Sequence, residues 1–523
     1  MSTQEKNAIA PQSLPRGSAL LLLLSIFVVA TCGLIYELLA GTLSTYLLGN
    51  SVTQFSLVIG FFLTAMGLGS FLSRYVTKNL IRTFLIVEIA VGIVGGCLTL
   101  VLFAAFALID SYLPLLVCFS LVVGSLVGLE IPLIVRILRN QTTLRTALGN
   151  VLSLDYLGAF AASLAFPLLL VPNLGLVRTG FLFGLFNIAV AALGIYVFRH
   201  QLSRTWGLKV SVILSAVLLI AGLVTAGKAT TLLEDMIYED EIIFTKSTPY
   251  QRIVLTRWRG DLRLFIDGNI QFSTVDEFRY HEALVHPALS ALSEPRSVLL
   301  LGAGDGMAAR EVFKHPSVKT VHLVDLDPAI TKLFSKHPTL RKLNKDALSD
   351  PRLKIFNEDA LKFLEKSDNL YDAIIMDLPD PNNEGLGKLY SRSFYRLVTK
   401  NLSPRGVMVT QATSPFYSTA AFWCISNTIA ASSTFRGGPG LKVLPYHASV
   451  PSFGEWGFVL AARNEIDPDR MKLTVKTRFL SPELLPTLFV FPKDIAERPT
   501  PVNRLDNQIL VRLYEKGFRR YNK

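Results

Sequence analysis

The sequence predicts two structural classes in one chain: a multi-pass α-helical membrane domain over 18–228, then an α/β domain preceded by a small β-hairpin domain. Three observations carry this. Seven apolar stretches, near 18–40, 52–73, 83–107, 111–135, 147–171, 179–198 and 208–227, are each long enough to cross a ~30 Å hydrocarbon layer as a helix. Charge is divided unevenly: residues 1–228 hold 13 of the 52 Lys/Arg and 6 of the 40 Asp/Glu. Beyond residue 297, short apolar strands alternate with helical segments, the pattern of a parallel sheet covered on both faces.

The whole-chain composition agrees. Of 523 residues, 50% are hydrophobic and only 18% charged, against roughly 25% charged in a soluble domain; mean hydropathy is +0.42. That excludes a disordered chain and argues against a purely soluble one. Seven apolar stretches also exceed what a cleaved signal peptide explains. The four cysteines form no CxxC or zinc pattern, which excludes a disulfide scaffold. Cys32, Cys97 and Cys118 fall in apolar runs and read as small buried hydrophobes, and Cys424 has no evident partner.

Residues 1–17 read as a tail. Basic residues cluster at Arg74, Lys78 and Arg82, at Arg136, Arg139 and Arg145, and at Arg199, Arg204 and Lys209. With Lys6 and Arg16, the positive-inside rule puts the N-terminus and these loops in the cytoplasm. Seven crossings would then carry the C-terminal half to the far side. Four carboxylates, Glu37, Glu88, Glu130 and Asp155, lie within or at the ends of the spans. Such groups face a bundle interior or a water-filled cavity, so they suit a cation or polyamine path, or else a structural hydrogen bond. Gly67/Gly69 and Gly92/Gly95/Gly96 point to close helix packing.

Residues 229–275 are expected to hold an acidic linker (Glu234, Asp235, Glu239, Asp240, Glu241) and a hairpin. In the hairpin, IIFTKSTPYQRIVLTRW turns at Arg259-Gly260-Asp261 into LRLFIDG. A helix over 276–293 opens the last domain, 276–523. Its strand runs are SVLLLGAGDG, closed by glycines, then TVHLVDLDP, RLKIFNEDA, YDAIIMDLPDP and GVMVTQAT, separated by helices such as AAREVFKH and ALKFLEKS.

The chemistry gathers at the strand ends. Gly302, Gly304 and Gly306 follow a strand and precede a helix, where glycines let a ligand approach the backbone. Asp325 ends the second strand, where an acid can take two ribose hydroxyls; Asp359 follows the third, in reach of an adenine edge. Capping a helix is the plainer role for such acids and suits Asp327 best. Asp305 lies inside the glycine loop, where an anion would repel phosphates. It suits a cationic cofactor bearing an ammonium and a sulfonium, and so adenosylmethionine chemistry over NAD or ATP. Asp377 and Asp380, in DLPDP, close the fourth strand; either can draw an amine and accept its proton, although Asp and Pro also favour turns.

GAGDG, VDLDP, DLPDP and LYSRSFY together resemble the spermidine synthase (polyamine aminopropyltransferase) family. IDGNIQFSTVDEFRYHEALVHPAL is the most specific match, since members carry LDG-x-x-Q followed by DE and YHE; STPYQ and QATSP also fit. The likeness covers about 242–462, and the membrane half looks like the membrane-bound bacterial branch. It implies a Rossmann-like, methyltransferase-type core, no tightly bound cofactor, and decarboxylated S-adenosylmethionine as co-substrate with putrescine as amine. It further implies a homo-oligomer. By resemblance, Gln251, Gln271 and His281 would contact the co-substrate with Gly302 and Gly304. Asp305 would bind its ammonium, Asp325 its ribose and Asp359 its adenine. Asp377 would be the catalytic acid, with Tyr280, Glu282, Asp380 and Gln411 in the diamine site. The chain departs from soluble members at Leu378-Pro379, at Asn382-Asn383-Glu384, and at VPSFG, where Phe453 stands nearest their tyrosine. Amine identity therefore stays open. An N-methyltransferase on the same fold, or a polyamine transporter or sensor, are the alternatives. Nucleic acid is not an expected partner, because +7 of the +12 net charge belongs to the membrane half. Co-substrate supply favours a cytoplasmic catalytic half, against the parity of seven crossings.

Overall fold

The computed structural model describes residues 16–48, 51–108, 112–139, 143–238, 240–432, 440–519 and 521. The chain divides into a helical unit, Met1–Asp240, and an α/β unit, Glu241–Lys523. Most of the expected 1–17 tail, and Glu239 of the acidic linker, lie outside the described residues.

The helical unit comprises α1 (Arg16–Leu48), α2 (Ser51–Leu72), α3 (Leu80–Leu108), α4 (Tyr112–Leu138), α5 (Leu144–Ala165), α6 (Val171–Val197) and α7 (Trp206–Tyr238). Among the described residues, six continuous helices are long and apolar enough to cross a membrane, not seven. The difference lies in one of them, Leu144–Val197, which runs 54 residues through α5, a π turn at Phe166–Leu170, and α6. At 1.5 Å per residue it would span roughly 80 Å, far beyond a ~30 Å core. Gly175 breaks it with φ 74° and ψ 177°, in the gap between the predicted stretches 147–171 and 179–198. At its other end, α7 continues through 229–238, part of the expected linker.

The outer faces of these helices are apolar, with Leu63, Ile213, Leu214, Val217 and Val224 exposed, as bilayer contact requires. Glycines bring helices together: a Cβ on Gly69 would lie 2.0 Å from Ser125 O, and one on Gly184 would lie 2.6 Å from Gly92 O. Gly67, by contrast, faces open space.

In the α/β unit, β1 (Glu241–Ser247), β2 (Arg252–Trp258), β3 (Asp261–Ile266) and β4 (Asn269–Ser273) form an antiparallel sheet in chain order. The predicted hairpin is its β2–β3 pair: Trp258 faces Asp261 across Arg259 and Gly260, both at positive φ.

Then follow α8 (Glu277–Ser290), β5 (Ser297–Gly302), α9 (Met307–Val312), β6 (Thr320–Val324), α10 (Pro328–Lys336), α11 (Pro338–Leu343), β7 (Leu353–Phe356) and α12 (Ala360–Lys366). The rest of the domain is β8 (Tyr371–Asp377), α13 (Glu384–Gly387), α14 (Arg392–Lys400), β9 (Leu402–Gln411), α15 (Thr419–Ala430), β10 (Lys442–Val450), β11 (Gly454–Ala462) and α16 (Ile509–Phe518). The seven-stranded sheet runs β10-β11-β9-β8-β5-β6-β7. The five predicted strands are parallel, and β10 and β11 add an antiparallel edge. Val298–Leu301 and Ala373–Met376 are fully buried, which explains their unbroken apolar runs. The chain winds outward from β5 to β7, then returns to β8 on the other side of β5. That reversal opens a crevice at the carboxyl ends of β5 and β8, where such folds bind ligands.

Candidate active site

Gly302 and Asp377 are register partners at the ends of β5 and β8, so the glycine loop and the DLPDP turn meet at the crevice. The loop is possible only with small residues. Gly302 sits at φ 79°, and a Cβ there would lie 2.1 Å from Asp377 O; a Cβ on Gly304 would lie 2.4 Å from Asp325 Oδ2. Gly304 N donates to Asp325 Oδ2 at 3.0 Å, and Asp327 N donates to Oδ1 at 2.9 Å. Burial, against those two bonds, raises the Asp325 carboxyl to about 6.

Asp305 accepts Met307 N at 2.9 Å. Its Oδ2 stands 4.0 Å from His281 Nε2. Burial lifts its carboxyl to about 6 against the pull of His281, with Asp377 adding to the rise. Asp377 accepts the Tyr280 hydroxyl hydrogen at 2.7 Å, and burial raises its carboxyl as well. Asp380 accepts from Tyr514 at 3.0 Å, Thr413 at 3.2 Å and Gln411 Nε2 at 3.3 Å, and burial takes it to about 6. Phe453 packs edge-on to Tyr280 at 5.8 Å, on the ring whose hydroxyl bonds Asp377.

His281 is held from behind. Its Nδ1 lies 2.9 Å from Glu277 Oε2, and Arg310 grips both oxygens of Glu277 at 2.9 Å. Burial disfavours the imidazolium, but Glu277, Asp305 and Asp377 outweigh it and raise His281 to about 9. The crevice is therefore acidic, with one imidazole facing the loop carboxylate, and it suits a ligand with more than one positive charge.

Residues 277–468 match the spermine/spermidine synthase domain. The chain is 45% identical to a polyamine aminopropyltransferase of Leptospira interrogans, over 95% of this chain and 99% of the relative. It is 47% identical to polyamine aminopropyltransferase 1 of Ralstonia nicotianae over 97% of both chains. The chain belongs to the polyamine aminopropyltransferase family. A solved spermidine synthase in complex with the transition state analogue AdoDATO aligns at 26% identity and TM-score 0.44, covering 49% of this chain and 87% of that one.

Not every residue assigned to this aminopropyltransferase's site by sequence faces the crevice. Glu282 is fully buried and accepts the backbone N–H groups of Arg478, Phe479 and Leu480 at 2.7, 2.8 and 3.1 Å. It anchors the C-terminal segment rather than a diamine. Asp359 caps α12, taking Leu361 N and Lys362 N on Oδ1, while Oδ2 faces Lys388 Nζ at 3.3 Å. Burial notwithstanding, those donors hold it below the usual carboxylate range. Asp327 caps α10, as predicted, and also accepts Gln251 Nε2 at 3.1 Å. Gln251 thus reaches the rim beside Asp325. Gln271 turns its amide to Asn269 O at 3.1 Å and contacts none of the acids.

Sequence reasoning missed Glu277, Arg310, Thr413 and Tyr514. Glu277 precedes the YHE triplet and was legible as part of DE. Tyr514 was not, since it reaches Asp380 from α16, 134 residues away.

Proposed function

We propose that this aminopropyltransferase moves the aminopropyl group of decarboxylated S-adenosylmethionine onto putrescine, releasing methylthioadenosine and forming spermidine. The amine nitrogen bonds to the methylene beside the sulfonium. The carbon–sulfur bond breaks with its electron pair on sulfur, and the extra amine proton passes to Asp377. Sulfonium is already a good leaving group, so the protein's work is alignment and deprotonation. Asp305 would hold the donor's ammonium, Asp325 the ribose hydroxyls, and Gly302 and Gly304 the close approach of the nucleoside. Asp380, with Gln411, would hold the far ammonium of the diamine.

The observation that carries the reading is the placement of Asp377. It ends β8 opposite the glycine loop, half-buried, and accepts the Tyr280 hydroxyl hydrogen. An N-methyltransferase would have to seat a donor carboxylate near Asp305, which repels it. Purified full-length protein, offered the donor with putrescine, cadaverine, diaminopropane or spermidine, should form a new carbon–nitrogen bond on one of them, read by mass spectrometry. Methylation instead of aminopropylation would replace this reading.

The helical unit is proposed to be embedded in a cell membrane with lipid around its apolar faces, and the catalytic unit to lie on the cytoplasmic side where the donor is made. Counting Leu144–Val197 once gives six crossings and that side; splitting it at Gly175 gives seven and the other. A reporter fused after Lys523 reads the side directly. A homo-oligomer is the proposed assembly.

A further inference from the structure

The acid assigned to the far end of the amine is held partly from outside the matched domain. That domain ends at residue 468, and α16 lies beyond it. Buried Asn503 seats this helix. Its Nδ2 donates to Gly387 O at 3.0 Å and to Tyr390 O at 3.1 Å, and its Oδ1 accepts Leu510 N at 3.3 Å. Leu510 and Val511 are buried, and Ser418 Oγ donates to Leu513 O at 3.2 Å. The helix is thereby fixed against the segment that follows DLPDP.

From that seat Tyr514 donates its hydroxyl to Asp380 Oδ2 at 3.0 Å. Thr413 shares Oδ2 at 3.2 Å, and Gln411 Nε2 reaches Oδ1 at 3.3 Å. The Tyr514 ring packs on Phe518, with centroids 4.6 Å apart. All three donors are neutral, so they orient the carboxylate without cancelling its charge. A carboxylate has about four acceptor sites, and the sharing of Oδ2 leaves room on Oδ1 for an N–H donor of an ammonium. We propose that Tyr514 is a positioning residue for the amine substrate: through Asp380 it orients the acceptor for the far ammonium, so the C-terminal helix sets the affinity for diamines over monoamines. This rests on the proposed seating of the diamine at Asp380.

The test is isothermal titration calorimetry of the full-length protein in lipid nanodiscs, saturated with methylthioadenosine and titrated with putrescine or with butylamine, which lacks the far amine. Wild type should bind putrescine about tenfold more tightly than butylamine. Tyr514→Phe deletes one oxygen and keeps the ring. It should weaken putrescine about tenfold and leave the affinities for butylamine and methylthioadenosine unchanged. Asp380→Asn should weaken putrescine as well, and adding Tyr514→Phe to it should change the Kd by less than about twofold, because residues that act as a unit are not additive. A merely structural Tyr514 would lower every affinity, or weaken putrescine equally in both backgrounds; either result would overturn the proposal. So would an unchanged putrescine affinity in Tyr514→Phe, or equal wild-type affinities for the two amines. Transfer is read separately by mass spectrometry: diamine binding that follows the expected pattern without aminopropylation would overturn the proposed function and uphold the role of Tyr514.

Discussion

Tyr280 donates its hydroxyl to Asp377 Oδ1 at 2.7 Å. One residue on, His281 Nε2 stands 4.0 Å from Asp305 Oδ2. Adjacent positions of α8 thus address two carboxylates of the crevice. In the proposed transfer, Tyr280 would steady the acid that takes the proton, and His281 would face the acid that holds the donor.

Replacing Tyr280 by Phe removes a hydrogen bond to a charged acceptor. Turnover near neutral pH should fall about tenfold, roughly 1.5 kcal/mol. The acid side of the pH–rate profile should move upward, because an Asp377 without its donor is more basic. A profile that keeps its position would assign Tyr280 to packing alone.

Glu282→Gln should behave as a structural change. A buried carboxylate that accepts three N–H groups loses charge and one acceptor oxygen, costing about 2–4 kcal/mol. Thermal denaturation should show the loss, while KM for the amine stays as it was. A raised amine KM at unchanged stability would return Glu282 to the diamine site.

Gly304→Ala places a methyl group 2.4 Å from Asp325 Oδ2. The Asp325 side chain, which would hold the ribose in the proposed transfer, must shift. KM for the aminopropyl donor should rise about tenfold or more, with amine KM little affected. Steady-state kinetics with each substrate varied in turn separates the two.

The pH dependence has two limbs. Asp305 and Asp380 stand at about 6, so transfer should decline as pH falls through that value and these acids lose the charge that binds ammonium. Stability has its own signs. His281, raised to about 9, contributes stability that is complete below its unfolded value of ~6.5 and is lost as pH rises through about 9. Glu277, depressed to about 2, contributes above its unfolded value of ~4.3 and loses that contribution as pH falls toward 2. Glu277→Gln should flatten both changes. Denaturation midpoints at pH 7.5 and 10 check the alkaline one.

What was legible in the sequence is what local pattern controls. The strands β5 to β9 came from apolar runs, and the glycine loop and Asp377 from the Gly and Asp that close β5 and β8. The break at Gly175 came from a dip in hydropathy between two stretches. Direction was harder. Glu282 sits in the matching YHE triplet, yet it points to Arg478–Leu480, nearly 200 residues on. Asp359 and Asp327 end neighbouring strands alike, and only the packing shows that both cap helices while Asp325 faces the loop. The antiparallel edge, β10 and β11, was not read, because its pairing with β9 is long-range. No motif near Tyr514 announces that it serves Asp380.

The most direct measurement is methylthioadenosine release by full-length protein given decarboxylated S-adenosylmethionine, with and without putrescine, for wild type and Asp377→Asn. The account predicts amine-dependent release by the wild type and a loss of at least about a hundredfold in the variant, with donor binding retained. Release that survives the substitution, or none with any amine despite donor binding, would contradict the role given to Asp377 and with it the proposed transfer.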